Sequence, residues 1–211
     1  MVIVFDLDDT LYDEIDFVKS GFLEISEYLG DNKYFEFMWN EFKLNGSGKV
    51  FNKLIEKFDI KIPLNKLMEI YRFHSPRITL PKESKKLLKF AKISALITDG
   101  HYITQKNKFY ALNLDKYIDL PIFTDFYHTK KLELKPFQMV MEKFPNQKYI
   151  YISDNPKKDF FAPKKLGWKT IRYKNPKGIY KDIKNNADIE VYSRNEILEI
   201  VSKLRLLEIP C

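Results

Sequence analysis

Asp6 and Asp8 stand two residues apart in the segment Phe5-Asp6-Leu7-Asp8-Asp9-Thr10, directly after an apolar run at 2–5. In an extended chain that spacing puts both carboxylates on one side, with Asp9 on the other. Two acids at the end of a buried strand repel each other and are poorly solvated, so they call for a cation or a shared proton. A hard divalent ion such as Mg2+ suits oxygen ligands of this kind. A solvated strand end with a local turn would also use aspartate, and this segment alone leaves both readings open. Further acids fall at other predicted strand ends, Asp99 in Thr98-Asp99-Gly100 and Asp154 in Ser153-Asp154-Asn155-Pro156-Lys157-Lys158-Asp159, and Lys135-Pro136 lies between them.

The elements that must position these residues follow from periodicity. Residues 2–5 read as a buried strand. Between 14 and 78 apolar residues recur every three or four positions, which predicts helices at 17–29, 34–42, 50–58 and 64–73, broken at Gly30-Asp31-Asn32, Gly46-Ser47-Gly48 and Lys61-Ile62-Pro63. Beyond Pro81, strands at 93–98, 121–124, 149–153, 168–173 and 189–192 alternate with helices at 83–91, 104–112, 136–144, 156–166 and 196–206. Such alternation predicts an α/β fold, a doubly wound parallel sheet covered on both faces. The expected domains are an α/β core of residues 1–13 and 79–211 and a smaller all-helical domain, 14–78, inserted after the first strand. Ligands on such sheets bind at the C-terminal strand ends, where Asp6, Asp8, Thr98, Asp99 and Asp154 all fall.

Asp-Leu-Asp-Asp-Thr, Thr98-Asp99-Gly100, Lys135 and Asp154…Asp159 resemble, in order, the four motifs of the haloacid dehalogenase-like (HAD) hydrolase superfamily. The resemblance implies a Rossmann-like core with a helical cap, and a Mg2+-dependent phosphatase working through an aspartyl-phosphate. It makes Asp6 the nucleophile and Asp8 the general acid and base. It gives Thr98 and the Asp99 backbone to the phosphoryl oxygens, and Lys135 to charge balance and phosphate binding. The metal would sit on Asp6, Asp8 through its carbonyl, and Asp154, with Asp159 and Thr10 in support. Lys130 and Lys131 are alternatives for the lysine, but Pro136 as a helix starter favours Lys135. Dehalogenases of this kind lack the second aspartate, so Asp8 favours phosphoryl transfer. A phosphomutase, or a non-catalytic relative that binds a phosphorylated ligand or a protein, are the alternatives. The run Thr98-Asp99-Gly100-His101 with Gln105, Lys108 and Leu112 resembles a subgroup of small capped phosphatases and points to a sugar phosphate.

Whole-chain features bound these readings. Hydrophobic residues make up 45% of the 211, a globular share. The net charge of +7 comes from lysines spread along the chain rather than one basic stripe, so no nucleic-acid partner is expected. No apolar run suggests a membrane span or a signal peptide. The lone Cys211 excludes a disulfide within one chain. The expected setting is cytoplasmic, the partner a small phosphorylated metabolite, and the state a monomer or homodimer. In the insert, Lys43, Lys49, Arg72 and Arg77 are surface charges that could also meet a substrate anion.

Overall fold

The structure is a computed structural model and describes residues 1–206. Cys211 lies outside the described residues. Six strands form one sheet in the order β3-β2-β1-β4-β5-β6: β1 Val2–Phe5, β2 Ser94–Thr98, β3 Leu120–Phe123, β4 Tyr149–Ser153, β5 Lys169–Tyr173 and β6 Ile189–Val191. Every neighbouring pair is parallel. Ile3 aligns with Ser94 on one side and Ile150 on the other, and Phe5 with Leu96 and Ile152. β1, β2 and β4 are buried along their whole length, which is why they read as near-continuous apolar runs rather than alternating ones.

The strand order reverses at β1. The chain steps outward from β1 to β2 and β3, then crosses back to lay β4 on the other side of β1. That is the topological switch point, where a crevice opens beyond the strand ends. Below it lies a core of Val2, Val4, Ala95, Ile97, Ile122, Phe137, Val140 and Tyr151. Phe137 meets Tyr151 edge-on at 5.2 Å, and Tyr149 stacks on Trp168 at 4.7 Å.

The strand–helix alternation predicted from residue 81 onward is present. Its helices are α5 Lys82–Phe90, α6 Tyr102–Ala111, α7 Lys135–Lys143, α8 Phe161–Lys165 and α9 Arg194–Leu206, with a short 3-10 turn at Leu114–Lys116. The clearest departure is the helix expected over 156–166, of which only Phe161–Lys165 is helical. Asn155 is the reason. Its side-chain oxygen accepts the Lys157 N–H at 3.0 Å, an Asx turn that competes with helix initiation.

The chain divides into two compact units, Met1–Glu14 with Thr79–Cys211, and Ile15–Ile78. The helices of the insert are α1 Glu14–Leu29, α2 Lys33–Asn45, α3 Val50–Phe58 and α4 Leu64–Phe73. Phe22, Ile25, Met38, Val50, Leu54 and Leu67 form the core of the inserted unit. Gly21 lets α1 and α4 approach closely: a Cβ there would sit 2.4 Å from the Tyr71 ring. Tyr71 cannot swing aside, because its ring packs edge-on against Phe17 at 5.4 Å and against Phe51 at 5.4 Å. Gly21→Ala is therefore expected to destabilise the insert by about 1–3 kcal/mol, read as a lowered melting temperature. His74 is buried in the same unit, with Nδ1 2.7 Å from the Tyr71 carbonyl and Nε2 2.9 Å from Ser20 Oγ.

Candidate active site

Beyond Phe5 the chain leaves the extended conformation. Leu11 N–H donates to the Leu7 carbonyl at 3.0 Å, and Asp9 takes a left-handed φ of 54°. The strict alternation expected for residues 6–9 therefore ends. Asp6, Asp8 and Asp9 all line one cavity of about 200 Å3 at the switch point. Thr98 and Asp99 enter it from the end of β2, Asp154 and Asn155 from the end of β4, and Asp159 from the turn that follows.

Asp6 is 5% exposed and anchored from two directions. Lys131 Nζ donates to its Oδ1 at 2.5 Å, and Ser153 Oγ lies 3.1 Å from its Oδ2. Burial pushes the Asp6 carboxyl up to about 6 in spite of that lysine. Ser153 also hydrogen-bonds Asp159 Oδ2, so a single hydroxyl spans the two acids. Lys131 Nζ is 3.5 Å from Asp159 Oδ1, which has no hydrogen-bond partner among the described residues.

The lysine at Asp6 is thus Lys131, not the expected Lys135. Lys135 opens α7 on its exposed side, and its Nζ donates to the Tyr127 carbonyl at 2.9 Å. Pro136 does mark the start of that helix. The lysine that meets Asp6 lies four residues earlier, in the loop between β3 and α7, where the Lys131 side chain is 3% exposed. The backbone N–H of Lys131 is held by Asp99 Oδ1 at 3.1 Å, so Asp99 acts here through its side chain. Asp99 also accepts from Thr124 Oγ1 at 2.7 Å and pairs with Lys158 at 3.0 Å. Burial works against its charge, but Lys131 and Lys158 hold it below the usual carboxylate range.

Oxygens of Asp6, Asp154 and Asp159 all lie within 4.8 Å of one another, and all three residues are buried. The Asp8 carboxylate, which was expected to exchange protons while its carbonyl met the metal, is not in this cluster. Instead its Oδ1 accepts from Tyr12 Oη at 2.6 Å and Lys108 Nζ at 2.8 Å, and its Oδ2 from Gln105 Nε2 at 2.7 Å. Burial opposes its charge, but Lys108, Tyr12 and Gln105 together hold it below the ordinary range. Asp154 has no hydrogen bond or ion pair among the described residues. Burial and the neighbouring Asp6 and Asp159 push it up to about 9.

The cavity lining holds seven acids, Asp6, Asp8, Asp9, Glu14, Asp99, Asp154 and Asp159, against two lysines, Lys131 and Lys158. An anionic ligand would not enter such a field unaided, and three acids within 4.8 Å cannot all stay ionised without a cation. The donor set is all oxygen and partly unpartnered, which fits a hard divalent ion. Thr98 is buried with its hydroxyl against Gln105. Thr10 is buried too, and its Oγ1 has no hydrogen-bond partner among the described residues.

Several lining residues carried no sequence signal. Glu14, the first residue of α1, is pushed up to about 7 by the charge of Asp8 and by burial. Ile179 and Tyr180 come from the loop after β5. Arg172, 1% exposed, holds that loop by donating to the Tyr180 carbonyl at 2.6 Å and the Ile183 carbonyl at 2.8 Å. His101 and His128 are exposed and line no part of the cavity. Within the insert, Arg77 is paired with Glu27 at 2.6 Å, and Lys49 and Arg72 line a separate hollow with Phe22 and Tyr71.

Known proteins resemble this chain in sequence and in fold. The chain is 29% identical over 96% of its length, and 97% of the relative's, to the glyceraldehyde 3-phosphate phosphatase of Methanocaldococcus jannaschii. To the enzyme of that name from Pyrococcus furiosus it is 27% identical, covering 96% of this chain and 93% of the relative. A Thermotoga maritima structure described as a candidate β-phosphoglucomutase superposes with a TM-score of 0.70 at 19% identity, covering 96% of this chain and 99% of that one. A HAD phosphatase from Thermococcus onnurineus gives 0.60 at 20% identity, covering 95% and 97%. Residues 3–173 match the family model of haloacid dehalogenase-like hydrolases, spanning the acids, the lysine and the insert between them, and the chain belongs to that family.

Proposed function

We propose that the protein is a Mg2+-dependent phosphatase of a small sugar phosphate, of the triose class that its archaeal relatives are named for. The observation that carries this reading is Asp6: a buried carboxylate paired with Lys131, facing Asp154 and Asp159 across a small cavity that Thr98 also lines. Asp6 would attack phosphorus, and the bond from phosphorus to the ester oxygen would break. Asp8 would give that oxygen its proton and release the alcohol. Water would then cleave the aspartyl-phosphate while Asp8 takes a proton back, so ester and water become alcohol and phosphate. Lys108 and Gln105 favour the ionised Asp8, the form that accepts the proton from water. Lys131 offsets charge on Asp6 and on the arriving phosphoryl group. The Thr98 hydroxyl is available to a phosphoryl oxygen.

Asp6, Asp154 and Asp159 would hold the magnesium, with the Asp8 carbonyl as a further donor. When bound, the ion draws negative charge off the phosphoryl oxygens. Removing divalent metal with a chelator is expected to abolish turnover of glyceraldehyde 3-phosphate, and Mg2+ to restore it. The same titration has a readout without substrate. Mg2+ at about 100 times its dissociation constant should raise folding stability by about 2.7 kcal/mol, seen as a higher melting temperature, and Asp154→Asn should flatten that response. The deciding experiment is a screen of phosphorylated metabolites that follows inorganic phosphate. Tight binding of a sugar phosphate without phosphate release would favour a non-catalytic relative. Conversion to an isomeric phosphate would favour a mutase.

A further inference from the structure

Gln105 and Lys108 are three residues apart on α6, which places them on one face of the helix. That face is turned inward, and the two residues are 2% and 3% exposed. Burying an amide and an ammonium costs free energy that an apolar pair would avoid. Both reach the same acid. Lys108 Nζ donates to Asp8 Oδ1 at 2.8 Å, beside the Tyr12 hydroxyl at 2.6 Å. Gln105 Nε2 donates to Asp8 Oδ2 at 2.7 Å and to Thr98 Oγ1 at 2.6 Å. A carboxylate only accepts, so the end of the Gln105 amide facing Asp8 must be its NH2.

Counting lone pairs sharpens the picture. Oδ1 of Asp8 has two acceptor sites, and Lys108 and Tyr12 take both. Oδ2 gives one to Gln105 and keeps one free. Thr98 Oγ1 receives a hydrogen from the same amide, so its own proton is left to point elsewhere. Gly100 makes room for this: its φ is 127°, and a Cβ there would stand 3.3 Å from the Gln105 side chain.

We propose that Gln105 and Lys108 are positioning residues for the reaction. Lys108, with Tyr12, fills both acceptor sites of Oδ1 and so fixes the orientation of the Asp8 carboxylate, leaving Oδ2 as the open oxygen. Gln105 ties that oxygen to Thr98, so the proton donor and the phosphoryl seat are held in register, with the Thr98 hydroxyl free to donate. The inference rests on the phosphatase reading given above.

The test is the dependence of kcat/KM on the leaving group, because kcat/KM reports every step up to departure of the alcohol. Glyceraldehyde 3-phosphate leaves as a poor alkoxide and needs the proton; 4-nitrophenyl phosphate leaves as a stable phenolate and does not. Lys108→Met, which keeps the length of the side chain, is expected to cost about 100-fold on the alkyl ester and about five-fold or less on the aryl ester, the loss of a fixed Asp8 carboxylate outweighing the easier protonation that removing the ammonium brings. Gln105→Met should show the same asymmetry, and Asp8→Asn sets its full size. Equal losses on both esters in both variants, or no loss in either, would overturn the inference and leave a structural role only. Should one variant fail to fold, the other decides by the same ratio. Failure of the function itself is separable: Asp6→Asn would then keep its turnover, whatever the α6 variants do.

Discussion

Asp6→Asn is expected to lower turnover of any phosphate ester by on the order of 10⁴-fold or more, because an amide in place of the proposed nucleophile cannot attack phosphorus. The substitution is nearly isosteric, so its effect is chemical. Lys131 at 2.5 Å and Ser153 at 3.1 Å still find an oxygen or an amide to meet. The fold should tolerate the change, since it removes one charge from a site crowded with acids. Circular dichroism and melting temperature should stay near wild type while phosphate release disappears. A variant that keeps its rate in protein free of contaminating phosphatase would remove Asp6 from the reaction, and with it the aspartyl-phosphate.

The second large effect separates two lysines four residues apart. Lys131→Met is expected to reduce kcat/KM by about 100- to 1,000-fold, since its ammonium is the positive charge that meets Asp6, the proposed nucleophile. The same substitution at Lys135 should change kcat/KM by about two-fold or less, because that side chain is exposed and bonded to the Tyr127 carbonyl. Lys131→Met also leaves Asp6 and Asp159 facing each other without a cation, so its apo form should melt lower and recover when Mg2+ is added. The Lys135 variant should melt as wild type does. If Lys135→Met were the damaging one, the site geometry around Asp6 would be wrong.

Those two lysines also show how far the sequence could be read. The parallel sheet was legible because β1, β2 and β4 are short apolar runs ending in Asp6, Thr98 and Ser153-Asp154, and the sheet brings those ends together. The lysine was not, because its neighbours Lys130, Lys131 and Lys135 are alike in type, and Pro136 reports where a helix starts rather than which side chain points inward. What selects Lys131 is Asp99, whose carboxylate holds its backbone N–H from another loop. That contact is long-range and leaves no local pattern. Asp8 was recognisable as an acid near Asp6, yet its side chain turns to α6 rather than to the other carboxylates. The reason is Lys108, a hundred residues away in the chain. Ile179 and Tyr180 were silent for a similar reason, since a buried arginine on β5, not their own sequence, fixes their loop.

The strand order has a consequence for how this protein is made. β1 is synthesised before both of its partners and ends up between β2 and β4. Its two pairing partners begin at Ser94 and Tyr149, after the whole helical insert has been added. Until then Val2–Phe5 is an apolar segment with both edges unpaired, and the closure of long loops must precede any gain from pairing. The insert has a core of its own and can fold during that wait. Asp6 therefore meets Lys131, Asp154 and Asp159 together only once residue 159 has been made. A chain stopped before residue 149 would carry Asp6, the insert and both lysines, and still lack the strand that brings Asp154 to them.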